Sequence, residues 1–495
     1  MIRYVRTVAE ERLPFFLGML LLLLLLLPSV FCAAAASVGE CLNGGTPFSC
    51  GPGNLCLCQP NCMSCEQAGL TSLAGGQFSP AIEKLDLSHN SLSELPPAIF
   101  STLPYLLVVD ISYNQITALP PGLFDALGSL EQLLMNNNLI TSVPPGLFAR
   151  MPQLWELDMH NNQIGAIPAH LFDQNTALAN LNAAGNRLAA LPSGIFALLP
   201  GLFSLTLSGN AITVLDANVF ANQSMLITLM LNNNTLAAFP ATLFTSMSNL
   251  NSLVLHNNRL ASLAPFTFSG LSALATLNLE NNQLKTLAPG CFDGLSKLKL
   301  LMMSNNRLTL LEPETFAPLS AMTTLTLKGN LLAVDIPPSL FQNWSAIEFV
   351  DLSNNFLTVC PNVGNIRKTL NTLSLVNNSL ANLNAVEVSV GPFMTIPVLL
   401  ANNPVLCQLG VRLLRTRRYF HFSNGLLLLR VLHHPKRNLH STHFSFPNTH
   451  RDRGGLWWAF WWRAALCAGE LRCPQFPEPA RKNQRSRVAL ERAGR

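Results

Sequence analysis

From Ile82 to Met322 one order of apolar and polar positions returns every 24 residues: an apolar residue, two free positions, Leu, one free, Leu, two free, Asn, then Leu, Leu, Pro and Phe. The first copy is Ile82, Leu85, Leu87, Asn90, Leu92, Leu95, Pro96, Phe100 and Leu103. Later copies begin at Leu106, Leu130, Leu154, Leu178, Leu202, Leu226, Leu250, Leu274, Leu298 and Met322, and two looser ones at Ile347 and Leu370, which makes thirteen units. A fixed period of this length predicts a solenoid. Within a unit, Leu85 and Leu87 alternate with Lys84, Asp86 and Ser88. Period two predicts a short strand with one face buried and one in water. No such strand can bury its face or pair its edges alone, so the units must stack into one parallel sheet with a shared core behind it.

The turn after each strand holds an Asn, from Asn90 through Asn378. Inside a narrow coil that amide needs partners for one acceptor and two donors, and backbone groups of its own and adjoining coils can supply them. The opposite half carries one Phe per unit from Phe100 to Phe341, a predicted aromatic spine. Pro at the preceding bend, as at Pro96, Pro120 and Pro144, suits an irregular segment rather than a sheet interior.

The segments outside the array are different material. Arg3, Arg6 and Arg12 precede an apolar run from Leu13 to Leu27 with small residues Ala33 to Ala36 after it, which reads as a cleaved secretory signal over residues 1–36; an uncleaved signal anchor is the alternative. Residues 37–81 hold six cysteines: Cys41, Cys50, Cys56, Cys58, Cys62 and Cys65. Secretion favours three disulfides among them over a zinc site built from Cys56, Cys58, Cys62 and Cys65. Without Cys32 the count is odd, and Cys291, alone in its unit, is the candidate orphan. The solenoid is assigned to residues 82–393. From Val411 to Arg495 no repeat or sustained period is evident; this tail holds 17 of the 31 Lys and Arg and four acids, hence +13, against −8 for the rest of a chain of net +5. Clustered Trp457, Trp458, Trp461 and Trp462 give it a basic, aromatic character suited to a polyanion or lipid surface if native; non-native sequence or simple disorder is the competing reading.

These motifs resemble the extracellular leucine-rich repeat family, in the 24-residue form of Toll-like receptors, Slit proteins and small leucine-rich proteoglycans, over roughly residues 50–407. The resemblance implies an α/β solenoid, a right-handed horseshoe with a parallel concave β-sheet and an irregular, 3₁₀-containing convex side, whose inner Asn residues form a hydrogen-bonded ladder. Cys50, Cys56, Cys58 and Cys65 match the family's N-terminal cap, and Asn402-Asn403-Pro404-Val405-Leu406-Cys407 looks like the start of a C-terminal cap, partial over residues 394–410. It also implies that ligands meet the concave strands or a flank.

The third, fifth and seventh positions of each unit face outward from the sheet. In the first four units they carry Asp86, Asp110, Glu156, Asp158 and His160, with Lys84 and Tyr113 beside them, an acidic patch that could meet a basic protein ligand or a divalent cation, or simply keep the face solvated. Asn222, Asn233, Asn343 and Asn377 begin N-x-Ser/Thr acceptor sequences. No H-E-x-x-H, G-x-S-x-G or phosphate loop occurs, so no catalytic residue, cofactor or metal is assigned. The expected function is recognition of a protein ligand or co-receptor by a secreted or cell-surface chain, without nucleic acid and without a membrane span in this sequence; the alternative is a structural extracellular-matrix component with no signalling role.

Overall fold

The computed structural model describes residues 48–50, 56–59, 61–74, 78–366, 368–381, 398–404, 421–423 and 426–428. The signal segment, Cys41 and most of the basic tail lie outside these residues. The chain forms two compact units, Met1–Leu250 and Asn251–Arg495.

The first unit opens with an antiparallel meander of β1 (Phe48–Cys50), β2 (Cys56–Gln59) and β3 (Cys62–Ser64). Strand β3 then pairs in parallel with β4 (Lys84–Asp86), so the cap adds its last strand to the repeat sheet. Strands β5 (Val108–Asp110), β6 (Gln132–Leu134), β7 (Glu156–Asp158), β8 (Asn180–Asn182), β9 (Ser204–Thr206) and β10 (Thr228–Met230) follow in parallel, each in register with the one before. The central residue of each, from Leu85 to Leu229, is fully buried. Phe100, Phe124, Phe148, Phe172, Phe196 and Phe220 stack behind the sheet with ring centroids 5.7 to 6.5 Å apart. In the cap Cys56 is bonded to Cys65, and Cys62 is disulfide-bonded as well, which overturns the zinc reading of these thiols.

The second unit repeats the plan in β11 (Ser252–Val254), β12 (Thr276–Asn278), β13 (Leu300–Met302), β14 (Thr324–Thr326), β15 (Phe349–Asp351), β16 (Thr372–Ser374) and β17 (Val398–Leu399), all parallel. Its outer half contains α1 (Pro313–Phe316) and a 3₁₀ turn at Pro338–Phe341. The spine changes where the period slips: Phe316 meets Trp344 edge-on at 6.1 Å, and Phe341 packs on the same Trp at 5.4 Å. Cys291 is a buried free thiol, and burial pushes it up to about 12, so it stays protonated at neutral pH.

The ladder is present in both units. Asn162, for example, accepts from Ile140 N at 3.0 Å and donates to Met135 O at 3.0 Å and Met159 O at 3.2 Å, tying neighbouring coils through one side chain. The residue before each ladder Asn lies in the left-handed region, with φ between 51° and 68° from His89 to Asn402. That requirement explains the recurring Asn-Asn and Gly-Asn pairs, since Asn and Gly enter this region at least cost. It is also severe at Gly185, where an added Cβ would meet Asn161 Oδ1.

Two features extend past the sequence expectation. Strand β17 and Asn403, which accepts from Leu380 N at 3.1 Å and donates to Leu375 O at 2.7 Å, complete a turn beyond the thirteenth. In the sequence, Thr395 stands where earlier units begin with an apolar residue. Within the supposedly patternless tail, β18 (His421–Ser423) and β19 (Leu426–Leu428) form an antiparallel hairpin, and Leu428 pairs with Leu399 of β17. In the sequence, Asn424-Gly425 between them is a two-residue hairpin signal.

Candidate recognition face

Outward positions on the first unit's sheet gather the six candidate residues into two groups. Parallel register sets Asp86 directly opposite Asp110 on neighbouring strands. The expectation that both stand in water is corrected: Asp86 is 2% exposed and Asp110 9%. Each accepts a hydrogen bond at 2.8 Å from the backbone N–H two residues on, at Ser88 and Ser112. Burial, opposed by the bonds to Ser112 and reinforced by the Asp86 charge, pushes Asp110 up to about 6. Next to them His89 and Tyr113, both at left-handed turn positions, stack with ring centroids 4.1 Å apart and planes 10° off parallel. Tyr113 stays exposed.

The second group lies on β7 and its neighbours, about 10 Å away along the sheet from two strand spacings. His160 Nδ1 is 2.6 Å from Asp158 Oδ1, which also accepts from His160 N at 3.0 Å. Asn182 Nδ2 donates to Asp158 Oδ2 at 3.3 Å, and Asn137 Nδ2 lies 3.4 Å from His160 Nε2. With Nδ1–H donating to Asp158 and Nε2 accepting from Asn137, both ring nitrogens are partnered; Asn182 Nδ2, also 3.2 Å from Nδ1, then donates to Asp158 and not to the ring. Gln132 donates to Glu156 at 3.0 Å. Burial and the neighbouring Asp158 raise the Glu156 carboxyl above its ordinary value, and the Gln132 bond opposes them.

Asn137, Gln132 and Asn182 were missed from sequence because an outward amide in an Asn-rich repeat carries no signal of its own. Their contribution comes from adjacency across strands, 22 to 24 residues away in sequence. The second unit has a comparable cluster: Thr326 Oγ1 donates to Glu280 at 3.3 Å, and Ser304 donates to Thr326 at 3.0 Å. His256 belongs to this face; burial lowers its pKa, and its Nδ1 is buried without a hydrogen bond. Among the described residues no three His, Cys, Asp or Glu side chains converge as a metal site. Both clusters therefore present fixed hydrogen-bonding groups and partial charge on a rigid sheet, which is chemistry suited to recognition.

A family model, Leucine rich repeat, matches residues 80–140, 131–188, 224–284 and 274–332. These segments are leucine-rich repeats. Among solved structures, the chain is similar to a leucine-rich repeat protein of Leptospira interrogans at 26% identity, over 62% of this chain and 81% of that one, with a TM-score of 0.50. It is similar at 25% identity and a TM-score of 0.50 to a chain in an octameric complex of Latrophilin 3, Unc5D and FLRT2, the last contributing leucine-rich repeats, over 57% and 85% of the two chains. Drosophila Toll bound to Spätzle shares the fold at 23% identity and a TM-score of 0.53, over 66% of this chain and 48% of that one. No curated protein matches the chain in sequence. Among the described residues no helix is long and apolar enough to cross a membrane.

Proposed function

We propose that this is an extracellular recognition protein that binds a protein ligand through the outward, concave face of its repeat sheet, with the Glu156, Asp158 and His160 group as a contact site for a basic segment of that ligand. The observation that carries this reading is preorganisation. Asp158 and His160 are already held by each other and by Asn182 and Asn137, so little side-chain freedom is lost when a partner arrives. Glu156 adds a second carboxylate on the same strand. The FLRT2 repeats, in a complex with two other proteins, offer a precedent at 25% identity for a protein partner. A disulfide-tied cap agrees with an oxidising compartment.

The four acceptor asparagines, Asn222, Asn233, Asn343 and Asn377, are all exposed, so glycans there would leave the core undisturbed. Asn233 and Asn377 occupy the left-handed turn position at the strand exit, and sugar on that rim would direct a partner toward the open face. The test is a binding screen of the secreted full chain against extracellular proteins, followed by dissociation constants for Glu156→Gln/Asp158→Asn. A loss of about tenfold or more, steeper at low salt, supports the site. Unchanged affinity for every partner found would move recognition elsewhere.

A further inference from the structure

We propose that the flank of three consecutive turns in the second unit is a self-association surface, through which two copies of this chain pair. The residue just after each ladder Asn and the one three further on both point out of the coil. In most turns they are small or polar: Ser91, Gln115, Gln163, Arg187, Thr235, Arg259 and Gln283 at the first place, and Ala118, Ser142, Ala166, Ala190, Ser262 and Thr286 at the second. The scaffold therefore asks for nothing apolar there. Leu139 and Val214 are isolated exceptions.

From Leu310 onward the pattern inverts. Leu310, Leu331, Val334, Phe356 and Val359 fill five successive places, and each is between 39% and 61% exposed. Leu331 N donates to Leu308 O at 2.9 Å and Phe356 N to Leu332 O at 2.8 Å, so these turns are bonded neighbours and the five side chains form one continuous patch. The extra residue of this turn, near Asp335, sits beside Val334, the most exposed of the five.

Together they leave on the order of 450 Å² of apolar surface in water, as large as the principal patch of an ordinary monomer and about half of one partner's share of a standard interface. Three arguments favour a second copy as the occupant. A centre without any charge matches the more apolar character of homodimer interfaces. Exposed Arg307 and Asp335, one of each sign, flank the patch. A two-fold pairing brings each within reach of the opposite charge on the other copy, and Thr309, Ala333 and Thr358 supply a rim for the remaining area. This pairing does not depend on the ligand assigned to the sheet face.

The experiment is sedimentation velocity of the full chain from about 1 to 100 µM, beside Val334→Glu/Phe356→Glu. The wild type is expected to show a reversible dimer, and the double variant to remain monomeric or dissociate at least tenfold more readily. Far-UV circular dichroism checks that the variant is folded; if it is not, Leu331→Ser/Val359→Ser gives the same readout with less disturbance. A wild type monomeric across the range, or variants that dimerise undiminished, would overturn the proposal. In the first case, protection of the patch from hydrogen exchange only when a different protein is added would assign it to that partner instead.

Discussion

Replacing Asn306 with Ala removes one rung of the ladder inside the second unit, and the structure says which groups suffer. Asn306 Oδ1 accepts from Leu284 N at 3.1 Å, and Nδ2 donates to Leu279 O at 2.9 Å, Met303 O at 3.1 Å and Ser304 O at 3.4 Å. The three carbonyls keep other donors: Asn282 Nδ2 for Leu279, Asn330 Nδ2 for Met303 and Asn281 N for Ser304. Leu284 N keeps nothing. One buried N–H without an acceptor costs about 1–3 kcal/mol, and weakening three shared bonds adds to that, so the total is roughly 2–4 kcal/mol. Asn305→Gly is the internal control. That residue is exposed, loses a single amide contact to Asn281 Oδ1 at 2.8 Å, and sits at φ 55°, where Gly is unstrained; its change is expected within about 1 kcal/mol. Asn306→Asp separates the two functions of the amide: it keeps an acceptor for Leu284 N but turns a carboxylate oxygen toward three carbonyls, so at pH 7 it is expected to be at least as harmful as Ala. Urea unfolding gives the totals, and hydrogen exchange at Leu284 gives the local effect, with a loss near 3 kcal/mol appearing as about a hundredfold faster exchange. A loss under about 1 kcal/mol for Asn306→Ala, or equal losses at 305 and 306, refutes the account.

Other consequences are checked as readily. Asp110 has its carboxyl raised from 3.8 to about 6, so the folded state holds its proton more tightly than the unfolded chain, and stability is lost as pH rises from about 4 to 6. Asp110→Asn is therefore expected to stabilise by roughly 3 kcal/mol above pH 6 and by nothing below pH 4, measured as unfolding midpoints across that window; a pH-independent gain would contradict the assignment. Phe196→Ala opens the middle of the spine and is expected to cost about 3–5 kcal/mol by the same assay. Gly294 has φ 90° and an added Cβ would lie 2.6 Å from Ser269 O, so Gly294→Ala is expected to destabilise by at least about 2 kcal/mol, and a neutral result would mean the two turns part easily. Peptide mass mapping before and after enzymatic deglycosylation is expected to find sugar at one or more of Asn222, Asn233, Asn343 and Asn377; none at any of them in secreted material removes the glycan argument.

The repeat was legible because each of its positions answers a separate physical demand. Leu85 and Leu87 must be buried, Asn90 must bond into adjoining coils, and Phe100 must meet its neighbour across a single coil spacing. Any one of these is weak; their return at a fixed interval is not. Legibility failed where the demand is met across strands. Asp86 and Asp110 occupy positions that alternation sends toward water, yet they are buried beside one another, and no rule of period two distinguishes them from Asp158. It failed again where a demand falls on backbone rather than side chain: the residue before each ladder Asn is Asn or Gly through most of the chain, a left-handed position that a hydrophobic period does not report.

The same distinction orders the functional readings. A solenoid turn fixes its inward residues tightly and its outward ones hardly at all, so departures from what the scaffold tolerates are informative mainly on the outside. The Asp158 and His160 cluster departs in one way, by spending hydrogen bonds on holding polar groups still before any partner is present. The Leu331 and Phe356 patch departs in another, by leaving apolar surface in water where neighbouring turns carry Gln, Arg or Thr. The first suits a polar ligand met with little ordering cost; the second suits an apolar contact that releases water over a broad area. Because they call on different forces, their salt dependence separates them: affinity at the sheet face is expected to fall as ionic strength rises, while self-association through the flank holds or strengthens in sulfate. A dimer that dissociates steeply with added sodium chloride would place the contact on charged residues and not on Leu331, Val334 and Phe356.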